Sequence, residues 1–160
     1  MRYIEGIDRR RKISFPEYID DYIAEDNPVR LIDTFVDLLD MEELGFKNAV
    51  PSNNGRPGYN PRMMLKLYIY GHLNRITTSR KLEAETHRNI EVMWLLRKLK
   101  PDDKSISDFR KDNREAIKKV LREFVALCKQ WDLFGMEGVA VDGSKFRASN
   151  SKKTIITIRP

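Results

Sequence analysis

Asp142 is the residue whose type and setting point most sharply to chemistry. It ends a short apolar run, 138–142, and Gly143 follows it, which suits the C-terminal end of a β-strand. A carboxylate so placed can hold a divalent cation. Two-metal phosphoryl-transfer sites use several such carboxylates to bind Mg²⁺, activate a nucleophile and stabilise the leaving oxygen. One carboxylate cannot do this alone, and none of residues 143–160 is Asp or Glu. An aspartate before a glycine is otherwise an ordinary turn residue.

The other chemistry on offer is contact with a polyanion. Thr78, Ser79, Arg80, Lys81 and Arg88 fall in one short segment, and Lys104, Ser105, Ser107, Arg110 and Lys111 in another. Helix–turn–helix proteins lay a short second helix in the major groove, its N-terminal residues toward base edges and phosphates. These donors suit that task, and they equally suit the solvated surface of an ordinary helical bundle. Arg56, between Gly55 and Pro57, is a guanidinium on a stiff turn that could fork onto a phosphate; the plainer reading is a loop that ends before a helix. His72 and His87 lie on different predicted helices and read as structural or surface residues rather than a ligand pair. Cys128, the single cysteine, sits on an apolar stripe and reads as core; alone it allows no internal disulfide and no cysteine-based zinc site.

These residues need elements to position them, and the chain reads as mostly helical. Residues 15–24 start with Ser14 as N-cap and Pro16 in the first turn, and place Tyr18, Ile19, Tyr22 and Ile23 on one stripe. Asn27 caps a second helix with Pro28 first and Val29, Ile32, Phe35, Val36 and Leu39 recurring at three and four residues. A turn over 40–44 closes at Gly45. Residues 51–61 form the clearest loop. Asn60 and Pro61 open a helix apolar over most of its girth, hence central, with Gly71 marking close packing or a local weakness. Thr78 or Ser79 caps the next, and Asn89 the one after, which Pro101 breaks. Ser105 or Ser107 caps a short segment with Ile106 and Phe109 inward. The longest helix, 113–134, carries Ile117, Val120, Leu121, Phe124, Val125, Cys128 and Trp131 on one stripe. From Gly135 the texture turns to β-type.

Charge divides the chain. Residues 1–60 hold 8 basic and 12 acidic side chains, residues 61–160 hold 22 and 12, and the whole is +6. The acid gathers in 17–43, as a solvated face or a partner surface, and the basic remainder fits a nucleic-acid footprint. No apolar run approaches the ~18 residues of a membrane span. Arg2, Glu5 and residues 8–12 fill the place of a signal peptide's apolar region. A cytoplasmic, nucleoid-associated protein is expected.

Several segments in fixed order carry a family resemblance: Asn27-Pro28-Val29-Arg30, Gly55-Arg56-Pro57, Tyr59-Asn60-Pro61-Arg62-Met63-Met64-Leu65-Lys66, Ser79-Arg80-Lys81-Leu82-Glu83, Arg88-Asn89-Ile90 with Met93-Trp94-Leu95, Lys100-Pro101-Asp102 with Ile106, Phe109 and Arg110, and Val141-Asp142-Gly143-Ser144-Lys145-Phe146 with Ala148-Ser149-Asn150. Over roughly residues 3–153 the chain resembles the N-terminal region of bacterial DDE-type insertion-sequence transposases, and the ordered set is more specific than any one piece. The resemblance implies an all-α, multi-helix DNA-binding and assembly domain with helix–turn–helix-like units, followed by a short β stub of a truncated RNase H-like domain. It makes Asp142 the first aspartate of the DDE triad and a Mg²⁺ ligand in an intact enzyme. The second Asp and the Glu are not in this chain, and Thr154 onward departs from the family's polar stretch.

The expected organisation is a basic arm over 1–14, the helical domain over 15–134, and a truncated first strand with an aberrant tail over 135–160. The expected product comes from a frameshifted or decayed gene, or from the first frame of a split one. It binds double-stranded DNA at the element's terminal inverted repeats, with a second copy or an intact transposase as further partner. It needs no cofactor itself and catalyses no strand transfer alone. A host-recruited DNA-binding regulator, or an interaction module working through the acidic helical face, are the alternatives.

Overall fold

The computed structural model describes residues 18–51 and 58–132, with Arg10, Asn53 and Gly55 besides. The expected basic arm (Arg10 apart), Arg56 and everything from residue 133 on, Asp142 and the β stub included, lie outside the described residues. Among the described residues the fold is all-α: a 3₁₀ turn at Ile19–Tyr22, then α1 (Pro28–Asp37), α2 (Pro61–Leu73), α3 (Ser79–Arg88), α4 (Ile90–Leu95), α5 (Asp103–Asp112) and α6 (Arg114–Gln130). None of these helices is long and apolar enough to cross a membrane.

The helix starts follow local chemistry. Asn27 Oδ1 accepts from Val29 N at 2.9 Å and Asn60 Oδ1 from Arg62 N at 2.9 Å, each with proline at the first helical position, where a missing N–H costs nothing. Thr78 Oγ1 accepts from Lys81 N, and Asn89 Oδ1 from Glu91 N. The turn after α1 also closes itself: Asp40 Oδ1 accepts from Glu42 N and Glu43 N, and Gly45, at φ +78°, lets Phe46 N reach Met41 O.

Four expectations need correction. Helix α4 ends at Leu95, well before Pro101, because Arg97 and Lys98 turn left-handed at φ +51° and +63°, and Leu99 is exposed. Residues 19–22 form only a 3₁₀ turn, with Tyr18 and Ile23 extended on either side, where a helix over 15–24 was expected. Arg30 supplies the reason. Its guanidinium binds the carbonyls of Asp20, Ile23 and Ala24, pairs with the Asp20 carboxylate at 3.0 Å and stacks 5.0 Å over Trp94. Those carbonyls are thereby fixed by α1 rather than by a helix of their own. Arg30, and after it Trp94, whose Nε1 also donates to Asp20, hold that carboxyl below the usual range. The cap of α5 is Asp102, whose Oδ1 accepts from Ser105 N at 2.6 Å; Ser105 and Ser107 are inside the helix. Finally, α6 ends at Gln130, with Trp131 at its cap and Asp132 left-handed at φ +51°.

The core centres on α2, against which α1, α4 and α5 pack. Met64, Leu65, Leu67, Ile69 and Tyr70 are buried, joined by Val29, Ile32 and Val36 of α1, Leu82 of α3, Val92 and Leu95 of α4 and Ile106 of α5. Each such side chain contributes about 1.5–3 kcal/mol relative to exposure. Helix α6 joins by its apolar stripe, Phe124 meeting Phe35 edge-on at 5.0 Å, and by Asn113, whose Oδ1 accepts from Lys47 N. Burial raises the Cys128 thiol to about 11, as suits a core residue.

One charge lies in this core. Lys66 is 2% exposed, and its ammonium bonds Asp33 at 2.6 Å and Asp37 at 2.8 Å, one turn apart on α1. A buried charge persists only when paired, so this clamp fixes the register of α1 on α2.

Candidate nucleic-acid interface

The pair α2 and α3 is set by a close approach. A Cβ on Gly71 would meet Leu82 Cδ2 at 2.7 Å and Ile76 O at 2.9 Å, so only glycine lets α3 cross here. Close packing is therefore what this glycine marks. The chain leaves α2 through Ile76 N bonded to Gly71 O, with Arg75 left-handed at φ +57°. Glycine is favoured at such a position, and a cation there gains from the carboxyl end of the helix.

The far end of α3 is tied down by a polar network. Asn89 Nδ2 donates to Glu85 and to the Tyr70 hydroxyl, Tyr70 donates to Glu91 at 2.7 Å, and Asn27 Nδ2 donates to Glu91 from the cap of α1. Asn89 and then Arg88 hold the Glu85 carboxyl below its ordinary value, whereas burial and Glu91 push the Tyr70 phenol up. With Leu82 and Thr86 buried, α3 presents one outward face. Its exposed residues are Arg80, Lys81, His87 and Arg88, all basic or histidine. Arg80 has its side chain 89% exposed and reaches Asp103 at 3.5 Å. Arg88 is drawn back onto Glu85 by two hydrogen bonds to the same oxygen, at 2.6 and 2.9 Å.

Helix α5 lies against α3, so the two candidate segments are neighbours in one surface. Arg110 Nη1 donates to Thr77 O at 3.4 Å, just before the α3 cap. The outward side of α5 is mixed: Lys104, Ser107, Arg110 and Lys111 are exposed, but so are Asp108 and Asp112. Ser105 and Ser79 are half-buried, and Thr78 is occupied in capping.

Beside Arg110, a cleft of about 260 Å³ opens between α2, α5 and α6, lined by Tyr68, His72, Thr77, Arg110, Arg114 and Lys118 over Ile76, Ile117 and Leu121. Tyr68 donates to Ile106 O at 2.8 Å, and burial raises its phenol to about 12, with Arg110 pulling the other way. His72 is held below its ordinary value by burial, and its Nε2 is buried without a hydrogen-bond partner among the described residues. Sequence reasoning passed over Arg114, Lys118 and Thr77. The only trace of the first two was the spacing of Arg110, Arg114 and Lys118 at steps of four, interrupted by the helix break at Asn113.

Among the described residues no group of three His, Cys, Asp or Glu gathers to hold a metal ion. His72 and His87 are apart in role, the first in the cleft and the second on the outward face of α3.

A small all-helical domain centred on α2, with a basic outward face on α3, is the class these features define. Over residues 17–112, more than half its length, the chain matches the family described as transposase domain (DUF772), and it belongs to that family. The matched span runs from just before the 3₁₀ turn to the end of α5. No match was found among curated proteins or among solved structures.

Proposed function

We propose that this transposase domain binds double-stranded DNA, with α3 as the helix that enters the major groove, and that its target is the terminal inverted repeats of the element. The observation that carries this is the outward face of α3, where every exposed residue is basic or histidine. The geometry of α2, a short turn and α3, with the N-terminal turn of α3 open to solvent, suits a helix–turn–helix reader. Arg80 and Lys81 stand where such a helix meets base edges and phosphates, and Lys104, Arg110 and Lys111 on the neighbouring α5 would hold the flanking backbone.

The interaction-module alternative is less well supported. Asp20, Asp21, Asp33, Asp37 and Asp40 of the acidic stretch accept hydrogen bonds or ion pairs within the domain. These five are engaged within the domain, which leaves Glu25, Asp26, Glu42 and Glu43 as the remaining exposed acids among the described residues of the stretch.

Gel-shift titration of duplexes tests the proposal. Binding should weaken steeply with salt, by a log–log slope of about −0.9 per phosphate contacted. Duplex carrying the inverted repeat should outcompete scrambled duplex of equal length. No retarded band at low salt would refute DNA binding; equal competition would refute end recognition alone.

A further inference from the structure

The cleft between α2, α5 and α6 has the lining of an anion site. Three cations reach it: Arg110 from α5 and Arg114 and Lys118 from α6. None of its lining residues is Asp or Glu, although Glu115, one turn back on α6, pairs with Lys118 at 4.0 Å. Arg110 is oriented by its bond to Thr77 O at 3.4 Å, which turns the guanidinium toward the turn before α3. His72 lines the cleft from α2, with its Nε2 sealed from solvent, so its ring reports on the site without touching the anion through that atom. The base of the cleft is apolar: Ile76, Ile117, Leu121 and the ring of Tyr68. Guanidinium groups fork onto phosphate oxygens, a lysine adds a point charge, and an apolar base accepts the sugar carbons beside a phosphate. At about 260 Å³ the cleft is small for a whole cofactor, and ligand pockets usually start near 300 Å³.

We propose that this cleft is a phosphate-binding site that seats a backbone phosphodiester of the duplex whose groove α3 enters, with Arg110, Arg114 and Lys118 as its cationic contacts. The proposal rests on the DNA-binding reading above. It extends the contact surface past α5 onto α6, beyond the residues matched by the family. Thr77, which abuts both the cleft and the α3 cap, makes the two contacts geometrically continuous.

The test compares three proteins: wild type, the double variant Arg114→Gln with Lys118→Gln, and its charge-keeping counterpart Arg114→Lys with Lys118→Arg. Thermal unfolding first establishes that all three fold; Arg114 is exposed and Lys118 half-buried, so they should. Duplex affinity is then measured over a salt series. Loss of that one phosphate contact should flatten the log–log slope by about 0.9 and weaken binding about 5-fold at 0.15 M salt, with the charge-keeping variant close to wild type. An unchanged slope and affinity, in a protein that loses binding on Arg80→Gln with Lys81→Gln, would overturn the cleft proposal and leave α3 recognition standing. If wild type binds no duplex, inorganic phosphate decides. Movement of the His72 ring NMR signals on phosphate titration, abolished in the glutamine variant, would support a site for free phosphate or a mononucleotide and overturn the duplex assignment. No movement would overturn the anion site altogether.

Discussion

Replacing Gly71 by alanine sets two physical effects against each other with opposite signs. Helix propensity favours alanine by about 1 kcal/mol at an interior helical position. Packing opposes it, because the new methyl would stand 2.7 Å from Leu82 Cδ2 and 2.9 Å from Ile76 O. Leu82 is 1% exposed, so its side chain has little room to swing aside. Ile76 O belongs to backbone that is fixed by the 2.8 Å bond from Ile76 N to Gly71 O. Overpacking of this kind costs about 1–3 kcal/mol, and with one contact to fixed backbone the upper part of that range applies. The net expectation is destabilisation by about 1–2 kcal/mol, a fall in Tm of roughly 4–8 °C. Urea and thermal unfolding followed by circular dichroism measure it. Adding Leu82→Ala should cost less in the Gly71→Ala background than in wild type, by about 1 kcal/mol, since it removes one of the two clashes. Because the glycine sets the crossing of α3 on α2, Gly71→Ala should also weaken duplex binding under conditions where the protein remains folded. A Gly71→Ala protein as stable as wild type or more so would refute the close approach, since propensity alone predicts that result.

Three further outcomes follow from the core and its polar contacts. Lys66→Ala should cost about 1–3 kcal/mol in urea unfolding, because it removes the buried stem and leaves Asp33 and Asp37, 31% and 49% exposed, without their cation; no measurable loss would mean the clamp is idle. Acid should destabilise the protein in two windows. His72, lowered by burial, binds protons more readily in the unfolded chain, so its contribution is full above pH 6.5 and falls as pH drops from there toward its folded value. Glu85, lowered mainly by Asn89 and Arg88, contributes above its unfolded value of 4.5 and loses that contribution as pH falls through its lower folded value. Urea midpoints across pH 3–8 for wild type, His72→Gln and Glu85→Gln should show each window flattened in its own variant. Arg75→Gly should stabilise by up to about 1 kcal/mol by relieving a left-handed arginine, read as a higher urea midpoint.

What the sequence made legible divides along the range of the interactions. Asn27 with Pro28, Asn60 with Pro61, Thr78 and Asn89 were all read as helix starts, and each does cap its helix, because capping is settled within three residues. The cap of α5 was missed where two local signals competed: Ser105 is a good cap residue, but Asp102 lies three before it and takes its amide. The 3₁₀ turn was missed because Arg30, from the following helix, binds its carbonyls. The long-range features left almost no trace. Lys66 stands in an apolar run with its carboxylate partners some thirty positions earlier, and a lysine there reads as a solvated interruption. The cleft draws on α2, α5 and α6 together, and only packing brings His72 beside Arg110. The outward face of α3 was half visible: its basic residues were picked out, but that Glu85 turns inward onto Asn89 is decided by the tertiary network.

The measurement that bears most directly on the central claim is duplex affinity, over a salt series, of Arg80→Gln with Lys81→Gln set against Lys104→Gln with Lys111→Gln, both checked for wild-type unfolding curves. With α3 in the groove, the first pair should lose preference for inverted-repeat duplex as well as affinity. The second should lose affinity alike for all sequences and flatten the salt slope by about 1–2. A first pair that binds and discriminates as wild type does would contradict the assignment of α3 as the reading helix.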